Sequence, residues 1–248
     1  MKFSYQLISA SGNPTAIVYG QFLPSQKNKI TSAIFARNKL VEQVGFIYQK
    51  SGQVYFDMMG GEFCVNGCRS AAFSLLKFKP GITSFKASGT AKTITAQIST
   101  DFQSSIKLPC SPVPKNFSYQ PFFSITLFGS KIFVIPKLGN QILATRILNS
   151  LSCEKYPGIG IMFFRACQSE ILLNPYFYVP QTKTFINETA CGSGSLAVAL
   201  YLKYFKNISQ SIYSIRQPSG LLINIKFGPT TIEGPTRFLG NYNVTINL

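Results

Sequence analysis

The 248-residue sequence predicts a mixed α/β (α+β) fold of two pseudo-symmetric lobes, each a strand-rich wrap around one central helix. The main observation is a repeated motif, because residues 64–72 and 191–199 both read Cys-x-(Asn/Ser)-Gly-x-x-(Ser/Ala)-x-Ala. The two copies are 127 residues apart (191 − 64), close to half of the chain. A glycine and then an alternating, strand-like stretch follow the two cysteines at similar offsets, 25 (89 − 64) and 29 (220 − 191) residues. The same order in both halves indicates a duplication rather than chance.

Strand-like stretches dominate both halves of the chain. Short pieces of alternating or continuous apolar residues predict these strands, since side chains alternate between the two faces of a sheet. In chain order the predicted strands cover residues 3–8, 16–19, 44–48, 54–59, 93–98, 124–128, 131–135, 160–164, 176–179 and 222–227.

Helical patterns are fewer, and the strongest follow the repeated cysteines. Residues 69–76 and 195–202 are apolar nearly all round, with small residues interspersed. A helix without a polar face is a buried helix, so each run is predicted to be the central helix of one lobe. Two further candidate helices cover residues 25–38 and 141–151. The Pro-rich stretch 109–121 is the predicted hinge, which places the lobes at residues 1–117 and 118–238.

The net charge of +16 comes from 24 basic and only 8 acidic residues. The basic residues are dispersed along the chain and form no known nucleic-acid motif, so we expect no nucleic-acid partner. A basic surface that attracts anionic small molecules or acidic partners is the preferred interpretation. No apolar run reaches the ~18 residues of a membrane helix, and the first residues lack the apolar stretch of a signal peptide. We therefore expect a cytoplasmic protein with no membrane partner.

The chain contains no histidine and six cysteines. The absence of histidine excludes His-based acid–base chemistry, Ser-His-Asp and Cys-His arrangements, and nearly all catalytic zinc sites. No Cys-x-x-Cys pair occurs, so we expect neither a metal site nor a disulfide framework. Cys110, Cys153 and Cys167 are interpreted as inert buried thiols, and Cys68, one helical turn after Cys64, as a core residue.

Cys64 and Cys191 are the exceptions, because each precedes a predicted helix. A helix N-terminus carries free N–H groups and a partial positive charge, which predicts a lowered thiol pKa. Small or turn-forming residues follow both cysteines and allow a ligand to approach the backbone. Two such termini facing one cleft would bind a carboxylate, and their thiols would flank the neighbouring carbon. One thiolate would remove the α-proton and the opposite thiol would supply another, which inverts the stereocentre.

Three of the few acidic residues stand near these motifs. Glu62 and Glu188 precede the repeated cysteines by two and three residues, and Glu42 lies in a compact stretch at 41–46. A carboxylate before a helix stabilises its N-terminus, and Glu62 is interpreted in this way. Glu42 and Glu188 are expected to belong to the site, where each would pair with a substrate N–H group.

Over essentially its whole length the chain resembles the diaminopimelate epimerase superfamily, which comprises cofactor-independent amino-acid racemases and epimerases. The motifs that carry this resemblance lie at residues 11–13, 61–67, 190–194 and 234–235. Within the superfamily it looks most like the histidine racemases of opine-metallophore (staphylopine) biosynthesis. That likeness rests on Ser-Gly-Asn-x-Thr at 11–15, Glu-Gln-Val-Gly-Phe-Ile at 42–47, Glu-x-x-Cys-Gly-Ser-Gly at 188–194 and Gln-Pro-x-Gly at 217–220.

The resemblance implies a fold similar to diaminopimelate epimerase, with the active site in the cleft between the lobes and residues 239–248 returning to the first lobe. It implies no cofactor and no metal, and it makes Cys64 and Cys191 the acid–base pair. It also implies that the head group of the amino acid is bound by a set of side chains and backbone N–H groups. These belong to Asn13, Asn66, Gly67, Gly192, Ser193 and Gly194.

Two departures from the epimerase pattern concern the substrate. Diaminopimelate epimerases carry an Arg before the second cysteine that holds a distal carboxylate, whereas residues 184–188 contain none. Val65 replaces the usual Gly after the first cysteine and is expected to narrow the pocket as a further substrate contact. The phenazine-biosynthesis isomerases are relatives that use a glutamate near the position of Glu42, but two intact cysteines argue against that reading.

The leading expectation is a cofactor-independent amino-acid racemase with histidine as substrate. Its partner would be a small-molecule amino acid, and we further expect a homodimer. Two alternatives stay open at this point: diaminopimelate epimerase or another isomerase of the same fold, and a non-catalytic amino-acid-binding protein.

Overall fold

The computed structural model describes residues 2–108, 117–118, 122–151, 155–167 and 170–245. Within these ranges the protein is a strand-rich mixed α+β structure. The strands are β1 (Lys2–Ala10), β2 (Asn13–Tyr19), β3 (Gln43–Lys50), β4 (Gln53–Met58), β5 (Gly81–Ala87), β6 (Thr93–Ile98), β7 (Gln103–Lys107), β8 (Phe117–Ser118), β9 (Phe123–Leu127), β10 (Ser130–Ile135), β11 (Ile159–Ala166), β12 (Ile171–Val179), β13 (Thr184–Asn187), β14 (Tyr213–Arg216), β15 (Leu222–Lys226) and β16 (Thr231–Thr245). The helices are α1 (Pro24–Arg37), α2 (Val65–Leu75), α3 (Gln141–Asn149) and α4 (Gly192–Leu200).

Eight strands close a ring around helix α2. Strands β1 to β7 pair in chain order, β7 pairs with β16, and β16 pairs antiparallel with β1, so that Lys2 lies opposite Thr245. Helix α2 contacts every strand of this ring. All of its residues except Leu75 are buried, because apolar and small side chains occur on every side of the helix. The predicted buried helix after Cys64 and the return of the last strand to the first are therefore both present.

Helix α4 packs against a different group of strands. From β16 the sheet continues through β15, β14, β12, β11, β10, β9 and β8, and β13 pairs with β12. Helix α4 contacts β10, β11 and β15, and it also contacts α2. Its residues are buried except for Ser193, and the helix continues as one π-helical turn, Tyr201–Phe205. One apolar cluster includes residues of both helices, so the two cysteine motifs share a core.

The structure tests the burial predicted for two of the other cysteines, Cys68 and Cys167. Cys68, a residue of α2, is fully buried in the core, as expected. The interpretation of Cys167 as a buried thiol is wrong, because it lies exposed just after β11 and accepts a hydrogen bond from Arg165 Nε at 3.2 Å. Cys110, Cys153 and most of the predicted hinge lie outside the described residues. No helix in the described part of the chain has the length and hydropathy needed to cross a membrane.

Candidate active site

Cys64 and Cys191 occupy equivalent positions, as the N-cap residues of α2 and α4. Each has an extended backbone, and its helix begins at the next residue. The Gly67 N–H donates a hydrogen bond to Cys64 Sγ at 3.2 Å, and the Gly194 N–H donates one to Cys191 Sγ at 3.3 Å. Both thiols therefore satisfy a free helix N–H group as N-cap side chains do. These two glycine amides, predicted to bind substrate, are directed at the thiols.

The two helix N-termini are in direct contact. A side chain on Gly192 would clash with Val65 of the opposite helix, so the glycine is required by close packing between the helices. Asn66 Nδ2 donates a hydrogen bond to the carbonyl oxygen of Ala190 at 2.9 Å. This bond joins the start of α2 to the segment that carries Cys191.

Both thiols line one pocket, together with residues from both halves of the chain. The lining residues are Glu42, Gln43, Met59, Glu62, Phe63, Cys64, Asn66, Phe177, Val179, Thr184, Ile186, Glu188, Cys191, Gly192 and Ser193. Seven predicted site residues belong to this set, namely Glu42, Cys64, Asn66, Glu188, Cys191, Gly192 and Ser193. The structure thus brings the two halves of the sequence motif to a single cavity.

Four predicted substrate contacts do not line the pocket: Asn13, Val65, Gly67 and Gly194. Asn13 is fully buried, and its Nδ2 donates to Glu42 Oε2 at 2.7 Å, so it holds a residue that does face the cavity. Val65 packs against Gly192 as described above. A direct contact of these residues with substrate stays a prediction.

Three glutamates give the pocket its electrostatic character. Burial raises the pKa of Glu42 and of Glu62 to about 7, and burial together with the neighbouring carboxyl groups raises the pKa of Glu188 to about 8. No lysine or arginine is among the described residues that line the cavity. A group that carries positive charge or donates N–H bonds is therefore the best match for this lining.

Glu42 and Glu62 are held by backbone N–H groups. The Thr189 N–H donates to both carboxylate oxygens of Glu42, at 3.2 and 3.1 Å, which ties the residue before strand β3 to the segment before Cys191. The Gly60 N–H donates to Glu62 Oε2 at 3.0 Å. Cys64 provides the N-cap of α2, and Glu62 lines the pocket; stabilisation of the helix N-terminus by Glu62 stays a prediction.

The predicted lowering of the thiol pKa is wrong. Burial raises the pKa of Cys64 and of Cys191 above the usual range of a thiol, and the charge of Glu188 raises both further. The N–H groups of Gly67 and Gly194 lower the pKa of the thiols they contact, but by less than burial raises it. Desolvation and a nearby carboxylate therefore outweigh the helix N-terminus.

Two glutamines of the site were not predicted. Cys64 Sγ donates to Gln43 Oε1 at 3.0 Å, and Gln43 Nε2 donates to Glu188 Oε1 at 2.5 Å. Gln217 Oε1 accepts from the Cys191 N–H at 2.9 Å. Both residues stand in the motifs of the resemblance, but nothing in those motifs indicates which side chain reaches a cysteine.

A family model described as the N-terminal domain of the histidine racemase CntK matches residues 2–233 of the chain. A curated histidine racemase of Fusobacterium nucleatum subsp. nucleatum is 30% identical over 263 residues, covering 96% of this chain and 95% of that protein. The histidine racemase of Staphylococcus aureus is 23% identical and covers 86% of this chain and 84% of its own length.

Solved structures share the fold at low identity. A hydroxyproline epimerase from Agrobacterium vitis has a TM-score of 0.66 at 10% identity, covering 98% of this chain and 92% of that one. A phenazine biosynthesis PhzF family protein from Enterococcus faecalis has a TM-score of 0.62 at 14% identity, covering 99% and 100%. The strand-rich architecture is therefore shared with a solved epimerase and a solved phenazine biosynthesis protein.

Proposed function

We infer the reaction from the premise that the chain belongs to the histidine racemase family, which makes it an isomerase of the amino-acid racemase class. We propose that its substrate is histidine and that it inverts the α-carbon without a cofactor, using Cys64 and Cys191. The observation that carries this proposal is that the two thiols, each at the start of a buried helix, line a single pocket. Membership of a racemase family sets aside the alternative of a non-catalytic binding protein.

In the proposed reaction one sulfur takes the α-proton while the opposite sulfur supplies one. The Cα–H bond breaks and an S–H bond forms on one face, and the electron pair left on Cα is delocalised into the carboxylate. On the other face an S–H bond breaks and a new Cα–H bond forms. The N–H groups of Gly192 and Ser193, at the N-terminus of α4, are proposed to hold the carboxylate where this charge develops.

The substrate itself is proposed to make thiol ionisation possible. Cys191 is buried and Cys64 is partly buried, and desolvation together with the charge of Glu188 favours the protonated form of both thiols. An ammonium group that enters the cavity brings a positive charge close to both sulfurs, which favours a thiolate. Ionisation would then occur in the complex, where it is needed.

The lining also guides the choice of substrate. Residues 184–188, before the second cysteine, contain no Arg to hold a distal carboxylate, and three glutamates face the cavity. A side chain with N–H donors, such as imidazole, fits these carboxyl groups, whereas a second carboxylate would be repelled. Diaminopimelate epimerase is therefore the less favoured alternative.

We also propose the two-lobe division, residues 1–117 with 239–248 and residues 118–238, with the pocket between the lobes. It is supported by the equivalent N-cap cysteines and by the different strands that contact α2 and α4. The homodimer, the cytoplasmic location and the metallophore pathway stay predictions.

The substrate is tested by incubation of the protein with single amino acids in D₂O. We expect the α-proton NMR signal of histidine to disappear from either enantiomer, with equal amounts of L- and D-histidine at equilibrium. Other L-amino acids and diaminopimelate form the comparison panel. Rapid turnover of diaminopimelate with none of histidine would overturn the assignment and restore the epimerase alternative.

Cofactor independence is tested with inhibitors. We expect activity to survive dialysis, chelators and carbonyl reagents, and to fall in proportion to alkylation of the pocket thiols, because the two sulfurs exchange protons with the α-carbon. The Cys167→Ser variant is the matched control: its exposed thiol is outside the pocket, so the variant should be active and equally sensitive to alkylation. Pyridoxal absorbance in the purified protein, or a requirement for a divalent metal, would contradict the proposal.

The Glu42→Gln variant tests recognition of the side chain. A hydrogen bond to a carboxylate is worth about 1.5–3 kcal/mol, so we expect kcat/KM for histidine to fall roughly 10- to 150-fold at 1.4 kcal/mol per decade. Gln keeps one acceptor for the Thr189 N–H, and the melting temperature should stay near that of wild type. Glu170→Gln, a change at a half-exposed site paired with Arg216, is the control. A lower melting temperature with unchanged kcat/KM would mean that Glu42 only braces the loop.

A further inference from the structure

Gln43 joins Cys64 to Glu188 by two hydrogen bonds, and Glu188 and Cys191 line the same pocket. Cys64 Sγ donates to Gln43 Oε1 at 3.0 Å, Gln43 Nε2 donates to Glu188 Oε1 at 2.5 Å, and the Glu188 carboxyl group interacts with Cys191. Gln43 and Glu188 are 7% and 4% exposed. Glu188 Oε2 has no hydrogen-bond partner among the described residues, so this oxygen is free to accept a proton.

The direction of the Gln43 amide suits an ionised Glu188 and a protonated Cys64. An amide oxygen 2.5 Å from a carboxylate oxygen would be repelled, whereas the amide N–H donates to it and favours the ionised form of Glu188. The amide oxygen then faces Cys64 Sγ, and it can be satisfied there only by an S–H donor. The arrangement is consistent when Glu188 carries the negative charge and Cys64 is a thiol.

We propose that Glu188, positioned by Gln43, holds the resting negative charge of the thiol pair: it keeps both cysteines protonated in the free pocket and accepts the Cys191 proton once a cationic substrate is bound. This proposal rests on the two-thiol racemase proposed above and identifies Glu188 as the group that controls ionisation of the thiols. In the transfer the S–H bond of Cys191 breaks, an O–H bond forms at Glu188 Oε2, and the electron pair stays on sulfur. Because thiolates are the reactive form, the free pocket is also protected against oxidation.

The surroundings of Glu188 support this role. The titratable groups that face it in the described part of the chain are Glu42, Glu62, Cys64 and Cys191, all of which are acids. A second negative charge in this group is therefore costly, and an ionised Glu188 suppresses ionisation of both thiols. Burial raises the pKa of Glu188 to about 8, so the negative charge that suppresses thiol ionisation is present above about pH 8 and is lost as the pH falls below it.

The proposal is tested without any substrate, by measuring the alkylation rate of each cysteine with iodoacetamide from pH 6 to 10. Peptide mass spectrometry separates the sites, and all proteins carry Cys167→Ser to remove the exposed thiol. In the wild-type pocket we expect slow reaction of both thiols up to high pH. Glu188→Gln should raise the rate of Cys191 at pH 9 by about tenfold or more, since one pKa unit changes the thiolate fraction tenfold. Gln43→Met should act mainly on Cys64, which loses the acceptor of its S–H group.

Two internal controls make the result decisive. Cys68 is fully buried one turn along α2, so a parallel rise of its alkylation would assign the effect to a loosened structure and overturn the proposal. Unchanged or slower reaction of Cys191 in Glu188→Gln would overturn it as well. Glu170→Gln, a change outside the pocket lining, should leave all rates unchanged.

The pH profile of racemisation provides the second measurement. In wild type we expect kcat/KM for histidine to rise with pH and level off near pH 8, where Glu188 ionises. In Glu188→Gln the rise should continue to higher pH, because the site can then lose a proton only from a buried thiol. A uniform loss at every pH would indicate a structural role and contradict the gating. If wild type does not racemise histidine at all, the proposed function fails, while the alkylation experiment still decides the role of Glu188.

Discussion

Replacement of either Cys64 or Cys191 by alanine should abolish measurable racemisation, because each change removes the proton carrier on one face of the α-carbon. A general acid or base contributes roughly 10²–10⁴-fold to a rate, and inversion needs both faces. Serine at either position should keep at most a trace, since a hydroxyl group is a far weaker acid than a thiol. The measurement is formation of the opposite enantiomer by every variant in D₂O, started from each enantiomer, with α-proton exchange followed in parallel.

The alanine variants must also be shown to fold. Each thiol accepts a hydrogen bond from the third residue of its helix, and loss of an N-cap acceptor costs about 0.5–2 kcal/mol. Serine keeps that acceptor, so an inactive serine variant with a wild-type melting temperature isolates the chemistry. Cys68→Ala is the matched control on α2: it should lower the melting temperature while activity is retained. Full activity in either alanine variant at Cys64 or Cys191 would contradict the two-thiol mechanism.

These variants can also assign the faces of the substrate. With one thiol left, the remaining sulfur can still exchange the proton on its own side without inversion. Exchange with retention from a single enantiomer in Cys64→Ala, and from the other enantiomer in Cys191→Ala, would show which thiol faces which side.

Much of the fold could be predicted because many strands and helices show a regular spacing of apolar residues along the sequence. A short stretch of sequence is enough to identify the two helices without a polar face and the strands with alternating apolar residues. Strand β7 (Gln103–Lys107) escaped prediction because Ile106 is its only apolar residue. It is a strand because β6 and β16 supply hydrogen-bonding partners on both sides, and that depends on residues far away in the chain.

The same distinction separates the predicted and the missed parts of the site. The cysteines, Glu42 and Glu188 stand in recognisable motifs. In contrast, the contact between Gln43 and Glu188 joins residues 145 positions apart, and no local sequence pattern predicts it. The thiol pKa was predicted in the wrong direction for the same reason: a helix N-terminus is visible in the sequence, but burial and the approach of Glu188 arise only on folding.

Arg69 is a second residue whose role emerges only on folding, and its replacement by leucine should cause a large loss of stability. Arg69 is fully buried on α2 and pairs with no carboxylate among the described residues. Its guanidinium group instead donates to five oxygens in four parts of the chain. These are Asn66 Oδ1 at 3.1 Å, Ser104 Oγ at 2.9 Å and its carbonyl at 3.2 Å, Ser11 Oγ at 3.1 Å, and the Pro235 carbonyl at 3.2 Å.

Leucine would fill much of the space but would leave several buried acceptors without a donor. A buried polar group that loses its partner costs about 1–3 kcal/mol, so we expect Arg69→Leu to lower the free energy of unfolding by about 3 kcal/mol or more. At roughly 2–4 °C per kcal/mol for a chain of this size, the melting temperature should fall by about 6–12 °C. Thermal and urea unfolding followed by circular dichroism measure both quantities. Arg146→Leu, an exposed change on α3, should stay within about 0.5 kcal/mol of wild type.

The opposite outcome has a definite physical meaning. Burial lowers the pKa of Arg69 to about 9, because desolvation disfavours the charged form of the guanidinium group. If desolvation of that charge exceeds the gain from its hydrogen bonds, Arg69→Leu would be as stable as wild type or more stable, as is found for some buried ion pairs replaced by apolar residues. Arg69→Lys separates the two contributions: it keeps the charge but cannot reach all five oxygens, and we expect it to be destabilised as well. Because Asn66 is held by Arg69 on one side and binds Ala190 on the other, loss of the guanidinium group should also lower kcat by displacing the segment that carries Cys191.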